Sequence, residues 1–375
     1  MHYLVATTVL HRAKIDTANW RTAKLEHQTL DNAYQFLIHT NQVGVSGIAS
    51  ITVISNNPAD HKDSVAKQYR MVTVLDSLPT LAFLDPKASV ALAGNAFIHG
   101  DVAIQSGQVT KSSRYDLMAG SLAGFDGRIF DSTATIWKKL HFQFHPFFAW
   151  MDSGSHIPSE PIAEPQFISR SFDADPLQDT IRVLGILRIQ RETQVANAFV
   201  IATEIYVEDS VSIRNATFCA RKISIATKGI VAGEFYATDT ILVNAKQQQD
   251  TPSVFAVTGR MNNGKVTGYL ECQEWRGSGT WLNATRDWNP LYSDIAIRFS
   301  NKCHNNGTLL TPGLLDNRGQ LTGHTIIGTL ATKESVTLWQ GFMLDGEIRD
   351  TLVGHASIPD ILRFGNHYQL EEISP

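Results

Sequence analysis

Leu187-Arg188-Ile189, Ile205-Tyr206-Val207, Ile223-Ser224-Ile225 and Ile241-Leu242-Val243 repeat one pattern at a spacing of 18 residues (205 − 187, 223 − 205 and 241 − 223). The outer two residues of each triplet are aliphatic and, in an extended chain, point the same way, because successive strand side chains alternate between faces. A period of this length that returns paired β residues is what one turn of a β-solenoid demands. Equivalent residues then stack from coil to coil, and the stacked aliphatics become the core. Parallel strands stacked at about 4.8 Å bond to the coils above and below, while Gly and Asn tolerate the positive φ angles of tight corners. The sequence therefore predicts a mainly β chain organised as a parallel β-helix.

Working outward, residues 181–375 read as the main β-helical segment. Gly264-Lys265-Val266-Thr267-Gly268 is echoed by Gly319-Gln320-Leu321-Thr322-Gly323. Residues 84–135 read as a first β-helical segment, with short runs such as Ser89-Val90-Ala91-Leu92-Ala93 and Asp101-Val102-Ala103-Ile104 between Gly, Asn and Asp corners. A β-sandwich with frequent turns is the competing architecture. Between the two segments, residues 136–180 hold an aromatic-rich interval, Trp137 to Trp150, then Pro158, Pro161 and Pro165. This interval reads as a cap or cross-over, since open solenoid edges need cover.

Residues 1–42 lack Pro and Gly and carry apolar residues at helix-like intervals through Leu4, Ile15, Ala18, Leu25 and Phe36, which predicts one amphipathic N-terminal α-helix. Its opening run, Tyr3 to Leu10, reads either as the end of a membrane-spanning helix whose start is lost or as an ordinary helix packed on the domain. Residues 43–83 form a small β region, with Ile48–Ser55 and Tyr69–Leu75 flanking the turn signal Asn56-Asn57-Pro58 as a candidate hairpin.

The 375 residues suffice for a sizeable core, and 43% hydrophobic with 18% charged residues is the balance of a folded chain. A net charge of −4, with no Lys/Arg stripe, argues against nucleic acid as a partner. Cys219, Cys272 and Cys303 show no metal-ligand spacing and allow at most one internal disulfide; buried or free thiols are the plainer reading. No metal or cofactor is expected.

For chemistry, Asp209, Glu234 and Asp239 fall in the clearest repeats beside Arg221 and Lys222, so a carboxylate cluster with a basic partner on one outer face is conceivable. The plainer reading makes them solvated corner residues. Metalloprotease, nucleophile-elbow, P-loop and dinucleotide motifs are absent, and Asp152-Ser153-Gly154-Ser155-His156 brings Ser and His together only in sequence. Trp275, Trp281 and Trp288 surround Gly277-Ser278-Gly279, where flat rings would stack on sugars or on a partner, or else pack in the core or a cap. Asp-Ser/Thr-aliphatic triplets such as Asp209-Ser210-Val211 and Asp239-Thr240-Ile241 match an O-glycosylation acceptor pattern, and equally turn-then-strand chemistry.

Leu92-Ala93-Gly94-Asn95-Ala96-Phe97-Ile98-His99-Gly100-Asp101 and Gly319 to Gly328 resemble bacterial envelope proteins that have one N-terminal span, a pilin-like helix and a β-helical ectodomain. The Gly-x-aliphatic-x-Gly coils are also similar to those of bactofilins, over the coils only. This resemblance implies a bacterial envelope location, periplasmic or surface-exposed, with membrane attachment only through a lost N-terminal span. The leading expectation is a non-catalytic structural or adhesive protein whose partner is an envelope protein or glycan. A polysaccharide lyase or glycosidase and a self-associating pilin-like subunit are the alternatives.

Overall fold

The computed structural model describes residues 26–29, 35–41, 50–57, 60–73, 80–83, 90–92, 94–104, 108–111, 119–130, 142–144, 165–173, 180–245, 253–257, 261–262, 265–266, 268–283, 297–311, 315–327, 342–344, 347–349, 362–364 and 368–373. A 22-stranded sheet dominates it, and its pairings are parallel. The period read from the sequence is its register. Leu187 pairs with Ile205, Ile205 with Ile223 and Ile223 with Ile241, and the column continues through Leu270, Ile297, Leu315 and Phe342. The fold is thus a parallel β-helix, and each coil contributes strands to three faces.

Face A carries that column. Face B runs through Gln194–Ala196 and 212–214, and in later coils through 275–278, 303–306, 320–322 and Glu347–Arg349. Face C runs through Phe199–Ile201, 217–219, 234–237, Ser253–Val257, 279–283, 308–311 and 324–327. On face A the side chains alternate: Leu187 and Ile189 are buried while Arg188 is partly exposed, which is why its triplets read aliphatic, variable, aliphatic.

From Val200 to Asn283 face C is buried on both sides. Its inner column, Val200, Phe218, Phe235, Phe255 and Trp281, fills the coil interior, and its outer column, Ile201, Cys219, Tyr236, Ala256 and Leu282, is closed to solvent as well. A strand covered on both faces reads as a continuous apolar run instead of an alternation, and Phe218-Cys219-Ala220, Phe235-Tyr236-Ala237 and Val254-Phe255-Ala256-Val257 are such runs. Ring stacking ties the inner column together, with centroids 5.2 Å apart for Phe218 and Phe235, 5.3 Å for Phe235 and Phe255 and 4.3 Å for Phe255 and Trp281.

The axial order of the coils is not their order in the chain. The stack starts at Gln166–Ile168, Phe172–Asp173 and Thr180–Arg182, and rises coil by coil to Phe342–Leu344 and Glu347–Arg349. The third strand of that last coil comes from far upstream: Leu81–Phe83 pairs with 325–327, and Phe97–His99 pairs with Glu347–Arg349. Val102–Ala103, Gly124–Phe125 and Ile129–Phe130 then extend the same stack. The stack therefore runs past the bounds read from sequence, taking in Leu81–Phe83 from the expected small β region and Gln166–Ile168 with Phe172–Asp173 from the expected cap or cross-over, and the strands between 81 and 130 are seated on the C-terminal coils.

Corners hold the coils close. A Cβ on Gly127 would sit 1.8 Å from the Gly100 carbonyl oxygen in the preceding coil, and Gly100 itself has φ 113°, so only glycine fits this stacked pair. The large hydrophobic residues most exposed among those described lie near the ends of the stack: Leu122 at 70% and Ile129 at 45% at one, Phe167 at 56% and Leu184 at 51% at the other.

A second, antiparallel sheet orders Glu26–Thr29, Gln35–Asn41, Ser50–Asn57, Asp60–Thr73 and Tyr368–Ile373. It contains a hairpin at the expected turn signal, but the second strand starts at Asp60 instead of the expected Tyr69, so that Ser50–Asn57 pairs with residues 60–70 and residues 71–73 pair with 368–370. It also corrects the N-terminal helix: 26–29 and 35–41 are strands, and no helix occurs among the described residues. The run Gln35-Phe36-Leu37-Ile38-His39-Thr40 is rich in β-branched and aromatic residues, and pairing with Ser50–Asn57 overrides the sparse helical spacing. The rest of the helix expectation, including the membrane-span reading of Tyr3 to Leu10, lies outside the described residues, as does most of the aromatic interval. Within that interval Phe142–Phe144 is a strand antiparallel to Leu362–Phe364.

Candidate functional site

Trp275 and Trp281 are fully buried, so a contact surface built on their indoles is not available. Trp275 enters the interior from face B and Trp281 from face C, with ring centroids 6.0 Å apart and edge-on. Trp275 Nε1 donates to the Gly277 carbonyl (3.2 Å), and Trp281 Nε1 donates to Asn305 Oδ1 (3.0 Å), whose Nδ2 donates to the Gly279 carbonyl (3.0 Å). Gly279 makes room for an indole: a Cβ there would stand 2.9 Å from Trp281 Nε1. Trp288 lies outside the described residues.

The acids and bases named from sequence are distributed over different parts of the coil. Asp209 sits at a corner, where its Oδ1 accepts the Ser210 amide (2.9 Å) and its other oxygen stands 3.9 Å from Lys228. Ser210 there has φ 62°. Arg221 donates to Asp239 across one coil step (3.1 Å) at the corner leading from face C to face A. Lys222 faces Glu204 on the outer side of face A (3.7 Å). Glu234 lies on the covered outer side of face C, where it accepts from Tyr236 Oη (2.9 Å). Each acid has a structural partner, and the five residues do not converge on one point.

On the outer side of face A the structure assembles two polar clusters, separated in the column by Ser224 and Leu242, which sequence reading missed. The Arg188 guanidinium lies 4.9 Å over the Tyr206 ring and 3.9 Å from Glu208. Tyr206 Oη donates to Glu204 (2.7 Å), and Tyr269 Oη donates to Glu271 (2.8 Å). Further along, Asp316, almost fully buried, accepts from both Arg298 and Arg318 at 3.3 Å. The signal for the tyrosine pairs was present as Glu204-Ile205-Tyr206, Glu234-Phe235-Tyr236 and Tyr269-Leu270-Glu271, since strand residues two apart share a side.

These pairs raise the tyrosine pKa values. For Tyr206 the hydrogen bond to Glu204 is the first cause; for Tyr236 and Tyr269 burial comes first, reinforced by Glu234 and Glu271. A phenol whose folded pKa lies above its unfolded value of about 10 stabilises the fold fully below pH 10 and progressively less above it. The chain should therefore lose stability as pH rises beyond 10, and the phenolate of the fully buried Tyr236 should appear only together with loss of the β signal in circular dichroism. Tyr236→Phe should weaken that alkaline lability; full ionisation of all tyrosines with the fold intact would count against the pairs.

No protein-family model matches the chain, and no curated protein matches it. One solved structure is similar at 9% identity and a TM-score of 0.25, covering 100% of this chain and 95% of its own: the competence-associated pilin ComZ from Thermus thermophilus. At that score the likeness carries neither fold nor function.

Proposed function

We propose that the chain is a non-catalytic structural or adhesive protein of the bacterial envelope, presenting the outer side of face A to an envelope glycan or protein. The observation that carries this reading is the pair of polar clusters on one face, Arg188 with Tyr206, Glu204 and Glu208, and Tyr269 and Glu271 beside Arg298, Asp316 and Arg318. Within each, charged and aromatic groups are pre-arranged by mutual contacts on stacked parallel strands, so a ligand would meet fixed donors, acceptors and rings with little ordering cost. The Cys272–Cys303 disulfide, which joins neighbouring coils, fits an oxidising compartment outside the cytoplasm. The dispersal of Asp209, Glu234, Asp239, Arg221 and Lys222 favours binding over a lyase or glycosidase, whose acids must share one cleft.

The test is a glycan array and a polysaccharide-depolymerisation screen on the purified chain, with and without calcium, reading binding and product release separately. Binding without release, weakened by Arg188→Ala with Tyr206→Ala, is the expected result. Released oligosaccharides would replace this reading with an enzyme. Neither signal would point to a protein partner or to self-assembly through the coil ends, where Leu122, Ile129, Phe167 and Leu184 are exposed.

A further inference from the structure

The coil that closes the C-terminal segment is composite. Phe342–Leu344 and Glu347–Arg349 supply two of its faces and Leu81–Phe83 the third, with no covalent continuity between Arg349 and Leu81. The edges of 320–327 and Glu347–Arg349 thus act as a strand-addition site, in the sense in which an extended segment extends an exposed sheet edge. Its occupant is a coil of the same chain, held by the main-chain pairing of Leu81–Phe83 with 325–327 and of Phe97–His99 with Glu347–Arg349. The N-terminal unit, residues 26–130, touches the C-terminal part at a second sheet joint, Asp60–Thr73 against Tyr368–Ile373. The disulfide lies within the C-terminal part and does not cross either joint.

We infer that this site also accepts residues 26–130 of a second copy, giving a dimer in which two chains exchange their N-terminal units. The complementarity is already built, because each copy carries both the site and its occupant, which is the condition for domain exchange. The connection permits it: 11 residues (141 − 130) separate Phe130 from Phe142, a reach of up to about 36 Å when extended. Docking within one chain does not depend on concentration whereas exchange does, so the monomer dominates when dilute and exchange grows where copies are crowded.

His99 and Arg349 are register partners across the seam, and they make the test. A copy carrying His99→Cys with one affinity tag is co-expressed with a copy carrying Arg349→Cys and a second tag, and a short bifunctional thiol reagent is added. The His99→Cys, Arg349→Cys double variant in one chain serves as the reference and should cross-link internally at the mass of one chain. Exchange predicts a covalent species of twice the chain mass carrying both tags, increasing with concentration. If the double variant cross-links and the mixed copies never do, exchange is refuted; if the double variant fails to cross-link, the seam itself is refuted. End-to-end stacking would bring the tags together without joining these positions, and glycan binding by face A is read independently.

Discussion

Trp281→Ala should lower the unfolding free energy by about 3–5 kcal/mol, the range for truncating a large aromatic in a close-packed core. Trp281 is fully buried and touches rings from all three faces: Phe255 at 4.3 Å, Trp275 at 6.0 Å and Phe299 at 4.8 Å between centroids. Its loss opens a cavity where three columns meet, and it leaves the Asn305 amide oxygen without the indole donor. Trp281→Phe keeps a ring in the column and should cost less. Equilibrium denaturation followed by circular dichroism measures both. A change below about 1 kcal/mol for the alanine variant, well short of what a core cavity costs, would mean that the aromatic stack does not hold these coils together.

Replacing both Cys272 and Cys303 by Ala should cost about 3–4 kcal/mol through the regained freedom of the unfolded chain, for a separation of 31 residues. Both cysteines face the coil interior and are almost fully buried, so reductant should reach the bond only when the coils part. Cys219 is a free thiol, fully buried with its pKa pushed up by burial. The folded, oxidised chain should therefore show no reactive thiol, and the denatured but unreduced chain should show one. Three labelled thiols without reductant would rule out the bridge.

How far the fold could be read depends on insertions. Between Leu187 and Val243 the coils keep one length, and the repeat is plain. The next two steps in the same column, from Ile241 to Leu270 and from Leu270 to Ile297, are much longer, and only from Ile297 to Leu315 does the original step return. Periodicity loses the thread there although the stack does not. The polar partners were more legible than they looked. Glu204 and Lys222, Arg221 and Asp239, and Arg298 and Asp316 are each separated by one original step and carry opposite charge, which places them on neighbouring coils. The cysteine pair carried no comparable signal, because the coils that bring Cys272 and Cys303 together differ in length.

The composite coil was not readable, since a repeat reports which residues share a column and not which end of the chain lies next to which. For Trp275 and Trp281 the core-packing alternative is the one that holds, and Gly279 clears space for an indole inside a strand.

The composite coil also bears on how the chain is made. The ribosome delivers Leu81–Phe83 early, but the edges on which residues 81–130 stack are complete only once Arg349, near the other end of the chain, has emerged. At translation speeds of about 5–20 residues per second, that segment waits on the order of tens of seconds with no template. The stack from Gln166 to Arg349 thus grows in the order of synthesis, while the coils made before it are the last to join.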